Sequence, residues 1–434
     1  MRVVKQIVIE LPEQFKKQLL LWAQQFEEVV WLDSNSKTNS DTQTYGSYDA
    51  ILAVDAITCI KTDWYNAFEK LEEYRKITND WLFGYLSYDL KNDLENLTST
   101  NHDQLHLPDL CFFQPKKIFL FRGRTLEVQY LNFVQEEIEV DVEAIKNTIR
   151  GFPAENNASK VEIKARTSEA AYLEKVKKML EHIHKGDVYE ANLCQEFYAE
   201  NTAIYPLDIF EKLNTISKVP FAAFLRLETR FLLSASPERY IKKQGNKVIS
   251  QPIKGTMRRS KDAVEDKKLA ATLCNDPKER SENIMITDLV RNDLSRTANK
   301  GSVKVEELCQ LYSFLQVHQL ISTITSQVSK ETEPVEILRT TFPMGSMTGA
   351  PKISAMQIIE SLEDVKRGLY SGAVGYFTPE GDFDFNVVIR SILYNAAEKY
   401  VSFSVGSAIT AQSIPKKEYE ECLLKAKAMR EVLS

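Results

Sequence analysis

The chain has no apolar run long enough to span a bilayer. Its opening, MRVVKQIVIELPEQ, lacks the apolar core of a secretory leader. It also lacks an excess of basic residues: the net charge is −6 and the pI about 5.7. That balance weighs against a nucleic-acid surface or a polybasic membrane patch, while leaving room for a local basic site on a small anion. Cys59, Cys111, Cys194, Cys274, Cys309 and Cys422 are scattered singly, with no CxxC pair and no histidine cluster. A structural zinc is therefore excluded by pattern, and reduced thiols in a cytoplasmic protein are expected. There is no internal repeat, no low-complexity tract and no Gly-Lys-Ser/Thr of a nucleotide-binding loop.

What is present is an ordinary globular composition over 434 residues, 43% hydrophobic and 27% charged. Short apolar runs read as strands at Val29–Leu32, Ala50–Val54, Trp81–Asp89, Phe221–Leu227, Phe231–Ser234, Val248–Ser250, Gly372–Phe377, Phe385–Leu393 and Tyr400–Val405. Helical spacing marks a helix capped by Thr167 or Ser168 and ended by Gly186. Two more are broken at Asn275-Asp276-Pro277, two cover 335–341 and 352–364, and a last one runs over Pro415–Leu433. Ser34–Ser47 reads as a polar loop. The charged stretch 135–167, punctuated by Gly151, Pro153, Asn156 and Asn157, is the best boundary, separating residues 1–150 from a region 160–434. Strands and helices come in blocks. This predicts an α+β fold of two packed, mainly antiparallel β-sheets flanked by helices.

Several groups carry chemical promise. Gln251-Pro252-Ile253-Lys254-Gly255-Thr256 reads as a tight turn bearing a lysine with no carboxylate within four residues on either side. Such a lysine, kept from water and anions, can lose its proton and become a nucleophile; on a surface hairpin it is merely solvated. Glu279 and Glu282 share one helical face near a helix start, and Glu418 and Glu421 do the same on the last helix. Two such faces meeting across a cavity would suit a hard divalent cation such as Mg²⁺. A capping box with Asp276 and a Glu421–Lys425 pair explain the same residues without a metal. The loop Pro343–Lys352, with Gly345, Ser346, Thr348 and Gly349, opens a helix and could cradle an anion or simply cap it. Arg390 interrupts an apolar strand and needs an anionic partner, either Asp384 or a ligand carboxylate. Glu238 follows a strand-like run, where it could be a desolvated general acid or a partner of Arg239.

Together these motifs resemble the chorismate-utilising enzymes, over roughly Gly186 to the C-terminus. The resemblance rests on Gly186–Leu193, Ser236–Arg239, Pro252–Thr256, Glu282–Leu289 with Arg291-Asn292-Asp293, Gly301–Val303, Gly345–Lys352 and Glu418–Lys425. It implies that Glu282 and Glu421 hold Mg²⁺, with Glu279 and Glu418 acting through water, and that Glu238 protonates the departing C4 hydroxyl of chorismate. It further implies that Arg390, Tyr376, Lys425 and the backbone near Gly406, Ser407 and Ala408 hold the substrate carboxylates. Gly255, Thr256 and the Gly345, Ser346, Thr348 loop would line the same pocket.

Isochorismate and salicylate synthases carry a water-activating lysine where this chain has Glu190. Anthranilate synthases usually carry alanine where it has Lys254. The lysine is similar to that of aminodeoxychorismate synthase component I, where it is proposed to attack C2 before ammonia attacks C4. The resemblance therefore implies amination of chorismate to 4-amino-4-deoxychorismate, toward p-aminobenzoate and folate, with ammonia from a glutamine amidotransferase partner (component II). Anthranilate synthesis, both activities together, or a non-catalytic chorismate-binding subunit are the alternatives. Some positions depart from the family: Gln319 stands where a histidine is typical, Met344 replaces a small residue, Ser407 and Ala408 replace glycines, and Glu190 replaces this branch's glutamine. Some relatives bind tryptophan near residues matching Ser34 and Pro220-Phe221.

Overall fold

The computed structural model describes residues 1–35, 45–149 and 161–434. Most of the expected Ser34–Ser47 loop lies outside them, as do Gly151, Pro153, Asn156 and Asn157. Twenty strands form one hydrogen-bonded network, and every ladder between them is antiparallel.

The network forks at one long strand. Leu110–Arg122 pairs along its length with Ala50–Thr62. On its other edge it pairs first with Leu82–Leu86 and then with Thr125–Leu131. One branch continues from Ala50–Thr62 through Glu28–Asp33, Phe221–Leu227, Arg230–Ser236, Ser391–Asn395, Tyr400–Thr410 and Glu190–Ala199. The other continues from Leu82–Leu86 through Ala373–Phe377, Phe383–Val387, Arg239–Gln244, Lys247–Gln251 and Val317–Gln327 to Lys304–Ser313.

The period of two in each strand then sorts the side chains. Val30, Ala53, Leu225 and Leu232 of the first branch pack with Phe83, Tyr85 and Val374 of the second, forming an inter-sheet core. Their neighbours Val29, Leu52, Phe224 and Leu233 face the opposite way, onto helices Pro12–Trp22, Glu169–Lys185 and Pro415–Leu433. Leu82, Leu86 and Phe377 likewise face helices Ala67–Thr78, Pro277–Ser295 and Pro334–Thr341. Both faces of each sheet are covered, which is why the strands read as continuous apolar runs. The expected α+β architecture of two packed antiparallel sheets between helices is the one observed.

Local signals set the element ends. Ser168 accepts from the Ala171 amide, and Gly186 ends that helix at φ +86°. Asp276 accepts from the amides of Lys278 and Glu279, starting the helix Pro277–Ser295. Among the described residues no helix is long and apolar enough to cross a membrane.

Two readings are corrected. Gln251–Thr256 is not a turn: Lys247–Gln251 and Ile253–Arg258 both pair with Val317–Gln327, in one register from Lys247↔Gln327 to Lys254↔Leu320. Gly255, at φ +86°, then inserts a bulge that shifts the register to Thr256↔Gln319. The run Phe385–Leu393 is two strands, not one. Phe383–Val387 belongs to the second branch and Ser391–Asn395 to the first, and Arg390 sits in the crossing at φ +52°. The chain makes the same crossing between Arg230–Ser236 and Arg239–Gln244, where Pro237-Glu238 lies. The two crossings are bonded together, Val387 N to Glu238 O at 3.0 Å and Ala235 N to Arg390 O at 3.1 Å.

Candidate active site

Where the two branches part, a cavity of about 570 Å³ opens, large enough for a small organic substrate. Each branch supplies one wall. Glu238, Lys254, Gly255, Thr256, Glu279, Glu282, Ser346, Arg390, Gly406, Ala408, Glu421 and Lys425 all line it. Residues up to 187 positions apart in sequence, from Glu238 to Lys425, thus converge where the two branches part.

Glu238 is buried, and its carboxylate accepts from Ser346 Oγ at 2.5 Å. Burial pushes its carboxyl up to about 7, against the opposing pull of Ser346, Lys254 and the Ile253 backbone. A carboxyl poised there can give up a proton at neutral pH. The alternative pairing with Arg239 is not made. Arg239 binds Asp384 (Nε–Oδ1 3.0 Å) and Gln251 (Nη1–Oε1 2.6 Å) instead. Asp384 is thereby engaged elsewhere, and the Arg390 guanidinium faces the cavity with no hydrogen bond or ion pair among the described residues. Burial pulls Arg390 below its ordinary value, with Tyr370 and Glu421 opposing.

Lys254 is not held away from anions, contrary to the sequence reading. Its Nζ lies 2.7 Å from Glu190 Oε1, and both side chains are almost fully buried. Burial alone would pull the ammonium down. Glu190, then Glu282, outweigh it, and Lys254 stays protonated above its ordinary range. The bulge at Gly255 aims this lysine inward. A Cβ on Gly255 would meet Glu279 Oε2 at 3.2 Å, so the strand and the acidic helix are in close approach there. Asn283 fixes that approach, donating to Leu320 O at 3.0 Å.

The two acidic helix faces do meet. Lys278, which sequence reasoning passed over, lies between them, 3.6 Å from Glu282 and 3.9 Å from Glu418. Burial pushes Glu282 up to about 7, with Lys254 opposing and Glu190 adding to it. Its Oε1 is buried with no hydrogen-bond partner. Glu421 is held below its ordinary value: burial would raise it, but Lys425 at 2.6 Å prevails. Lys425 also donates to Gly406 O at 2.8 Å. A carboxylate oxygen with no hydrogen bond, its cationic neighbour Lys278 at 3.6 Å, among hard oxygen donors fits a divalent cation in kind. No three such groups among the described residues are gathered closely enough to hold one as they stand.

Not every expected residue reaches the cavity. Tyr376 faces a second, smaller cavity with Ser34, Pro220 and Phe221. Thr348 is fully buried and bonds back to Met344 O and Gly345 O, so it shapes the loop from within. Gly345 faces a small space behind Glu238. Ser407 is buried and donates to Glu418, which is itself set back from the cavity. The amides of Met347 and Thr348 are spent inside their own loop, on Met344 O and Gly345 O.

Sequence reasoning also missed Asn192 and Tyr370, which line the cavity, and Arg367 beneath it. Arg367 binds Glu363, Met347 O and Asn192 O, all at 2.7 Å, and so ties the loop to the strand Glu190–Ala199. The charged run around Arg367 reads as a solvated surface turn and gives no cue to this, since two of its partners are backbone carbonyls distant in sequence. His318 turns away to Ser313 and Asp266, as strand alternation predicts, and leaves Gln319 facing the cavity.

The chain is 35% identical over 352 residues to anthranilate synthase component 1 of Thermus thermophilus, covering 80% of this chain and 76% of that one. It is 36% identical over 341 residues to aminodeoxychorismate synthase component 1 of Escherichia coli, covering 78% and 73%. Among solved structures, anthranilate synthase component I from Streptococcus pneumoniae superposes with a TM-score of 0.76 at 27% identity, over 88% of this chain and 91% of that one. Residues 26–431 match the chorismate binding enzyme family, and the chain belongs to it.

Proposed function

We propose that this protein is the chorismate-aminating component of an aminodeoxychorismate synthase, replacing the C4 hydroxyl of chorismate with ammonia. The observation that carries this reading is Lys254, placed in the same cavity wall as the neutral-poised Glu238, with a glutamate and not a lysine at position 190. Arg390 and Lys425 would bind the substrate carboxylates.

Lys254 must first shed a proton, and Glu190 Oε1 is the acceptor already hydrogen-bonded to it. The free amine then bonds to C2 as the C4–O bond breaks, and Glu238 gives its proton to the departing oxygen, which leaves as water. Ammonia bonds to C4, the C2–N bond breaks, and Lys254 leaves as an amine that recovers its proton from Glu190. The surplus proton on the new amine returns to Glu238. Mg²⁺, held by Glu282 and Glu421 with Glu279 and Glu418 behind them, would supply charge neutralisation for a substrate carboxylate. A separate glutamine amidotransferase would deliver the ammonia.

The test is product identification. The protein is incubated with chorismate, Mg²⁺ and an ammonium salt, and a lyase that converts aminodeoxychorismate to p-aminobenzoate is then added. p-Aminobenzoate appearing only with the lyase supports the reading; anthranilate appearing without it sinks it in favour of anthranilate synthesis.

A further inference from the structure

A side lobe of about 60 Å³ adjoins the main cavity, sharing Gln319, Arg390 and Lys425 with its wall. Beyond them the lobe is lined by apolar groups, including Leu213, Val219, Phe314 and Met429, with Ser217 and Gln316 as its other polar residues. One water needs about 10–15 Å³ of such space, so the lobe has room for a few molecules of that size. Gln319 is buried at the junction. Its Nε2 donates to Thr256 Oγ1 at 3.3 Å, while its Oε1 is buried with no hydrogen-bond partner. A buried acceptor left empty calls for a donor. The two cations at the junction disfavour a cationic donor, so the donor it calls for is a small neutral one.

We infer that this lobe seats neutral ammonia beside the substrate, with Gln319 Oε1 accepting one N–H. Ammonia has three N–H groups and a single lone pair. An acceptor that holds it by hydrogen leaves the lone pair free to bond to carbon. The inference rests on the amination proposed above, and it gives Gln319 a role as a nitrogen-positioning residue.

The experiment measures initial rates of amination with ammonium chloride and chorismate varied separately, at fixed pH, for wild type, Gln319→Met and Val219→Phe. The first variant removes the acceptor at similar volume; the second fills the lobe. The expected result is an apparent KM for ammonium raised tenfold or more in each, with the KM for chorismate within twofold. An ammonium KM within twofold of wild type overturns the inference, and so does a parallel rise in both KM values, which marks a merely structural role. If Val219→Phe does not fold, Gln319→Met decides alone. A wild type that forms no aminated product removes the amination reading and this one with it. A wild type that aminates while the variants keep its ammonium KM removes only this one.

Discussion

Lys254 and Glu190 join the two sheet branches through a buried ion pair of 2.7 Å, one partner from Ile253–Arg258 and the other from Glu190–Ala199. Glu190 Oε2 is buried without a partner of its own, so the lysine carries most of the compensation for that carboxylate. Removing one member of a buried pair strands the other, at a cost of about 3–5 kcal/mol, whereas removing both charges costs far less. Lys254→Ala is therefore expected to lose stability on that order in urea unfolding, and Lys254→Ala with Glu190→Gln to regain most of it. Equal losses in the single and double variants would show that the pair contributes nothing across the sheets.

Glu238 sets the pH dependence. Its carboxyl is raised from an ordinary 4.5 to about 7 by burial, so the folded state holds that proton more tightly than the unfolded chain. The resulting stability is fully present below about 4.5 and is lost as pH rises through about 7. Glu238→Gln, which stays neutral, should gain on wild type between pH 5 and pH 8, by on the order of 3 kcal/mol. Its turnover should fall by about 10²–10⁴, the usual worth of a general acid. Wild-type kcat should decline above pH 7. A profile flat from pH 6 to pH 9 would remove Glu238 from that role.

The sequence made the strands and helix caps legible because their signals are local: apolar runs, Ser168, Asp276-Pro277, Gly186. The two acidic pairs were visible from helical spacing alone. The sheet crossings at Pro237-Glu238 and Val388–Arg390 were not, because a strand that changes partners keeps the same apolar pattern on either side. Hence Phe385–Leu393 read as one strand and Gln251–Thr256 as a turn. Lys254 looked unpaired because its partner is 64 residues away. Tyr376 was expected in the main cavity, but strand alternation turns it between the sheets, packed on Trp81 and Phe83.

Gly406 is required by close packing and not by backbone angle. A Cβ there would lie 2.3 Å from Asn192 Oδ1 and 2.7 Å from Cys194 Sγ, on the neighbouring strand. Asn192 in turn donates to Ser346 O at 3.2 Å, next to the group that binds Glu238. Gly406→Ala should cost about 1–3 kcal/mol through overpacking. It should also raise the KM for chorismate, because Asn192 and the loop must shift together. A variant with wild-type stability and KM would mean that the strand absorbs the methyl group without moving the cavity wall.

Lys278 is the internal competitor for any divalent cation. Its ammonium sits between the two acidic helix faces and moderates the repulsion among Glu279, Glu282, Glu418 and Glu421. A cation that binds only the folded state stabilises it by RT ln(1 + [L]/Kd), about 1.4 kcal/mol at ten times Kd. Mg²⁺ should therefore raise the melting temperature by a few degrees, in a concentration-dependent way, with and without chorismate. Glu282→Ala should abolish that shift, because it removes the buried carboxylate whose Oε1 makes no hydrogen bond. Lys278→Met should lower the melting temperature in metal-free buffer, where Glu282 and Glu418 lose the cation between them, and enlarge the shift on adding Mg²⁺. The opposite signs separate a metal site from a simple salt-bridge cluster: a cluster loses stability in both variants and responds to Mg²⁺ in neither. An unchanged melting temperature for wild type across millimolar Mg²⁺, chorismate present, would leave the carboxylates a structural cluster neutralised by Lys278.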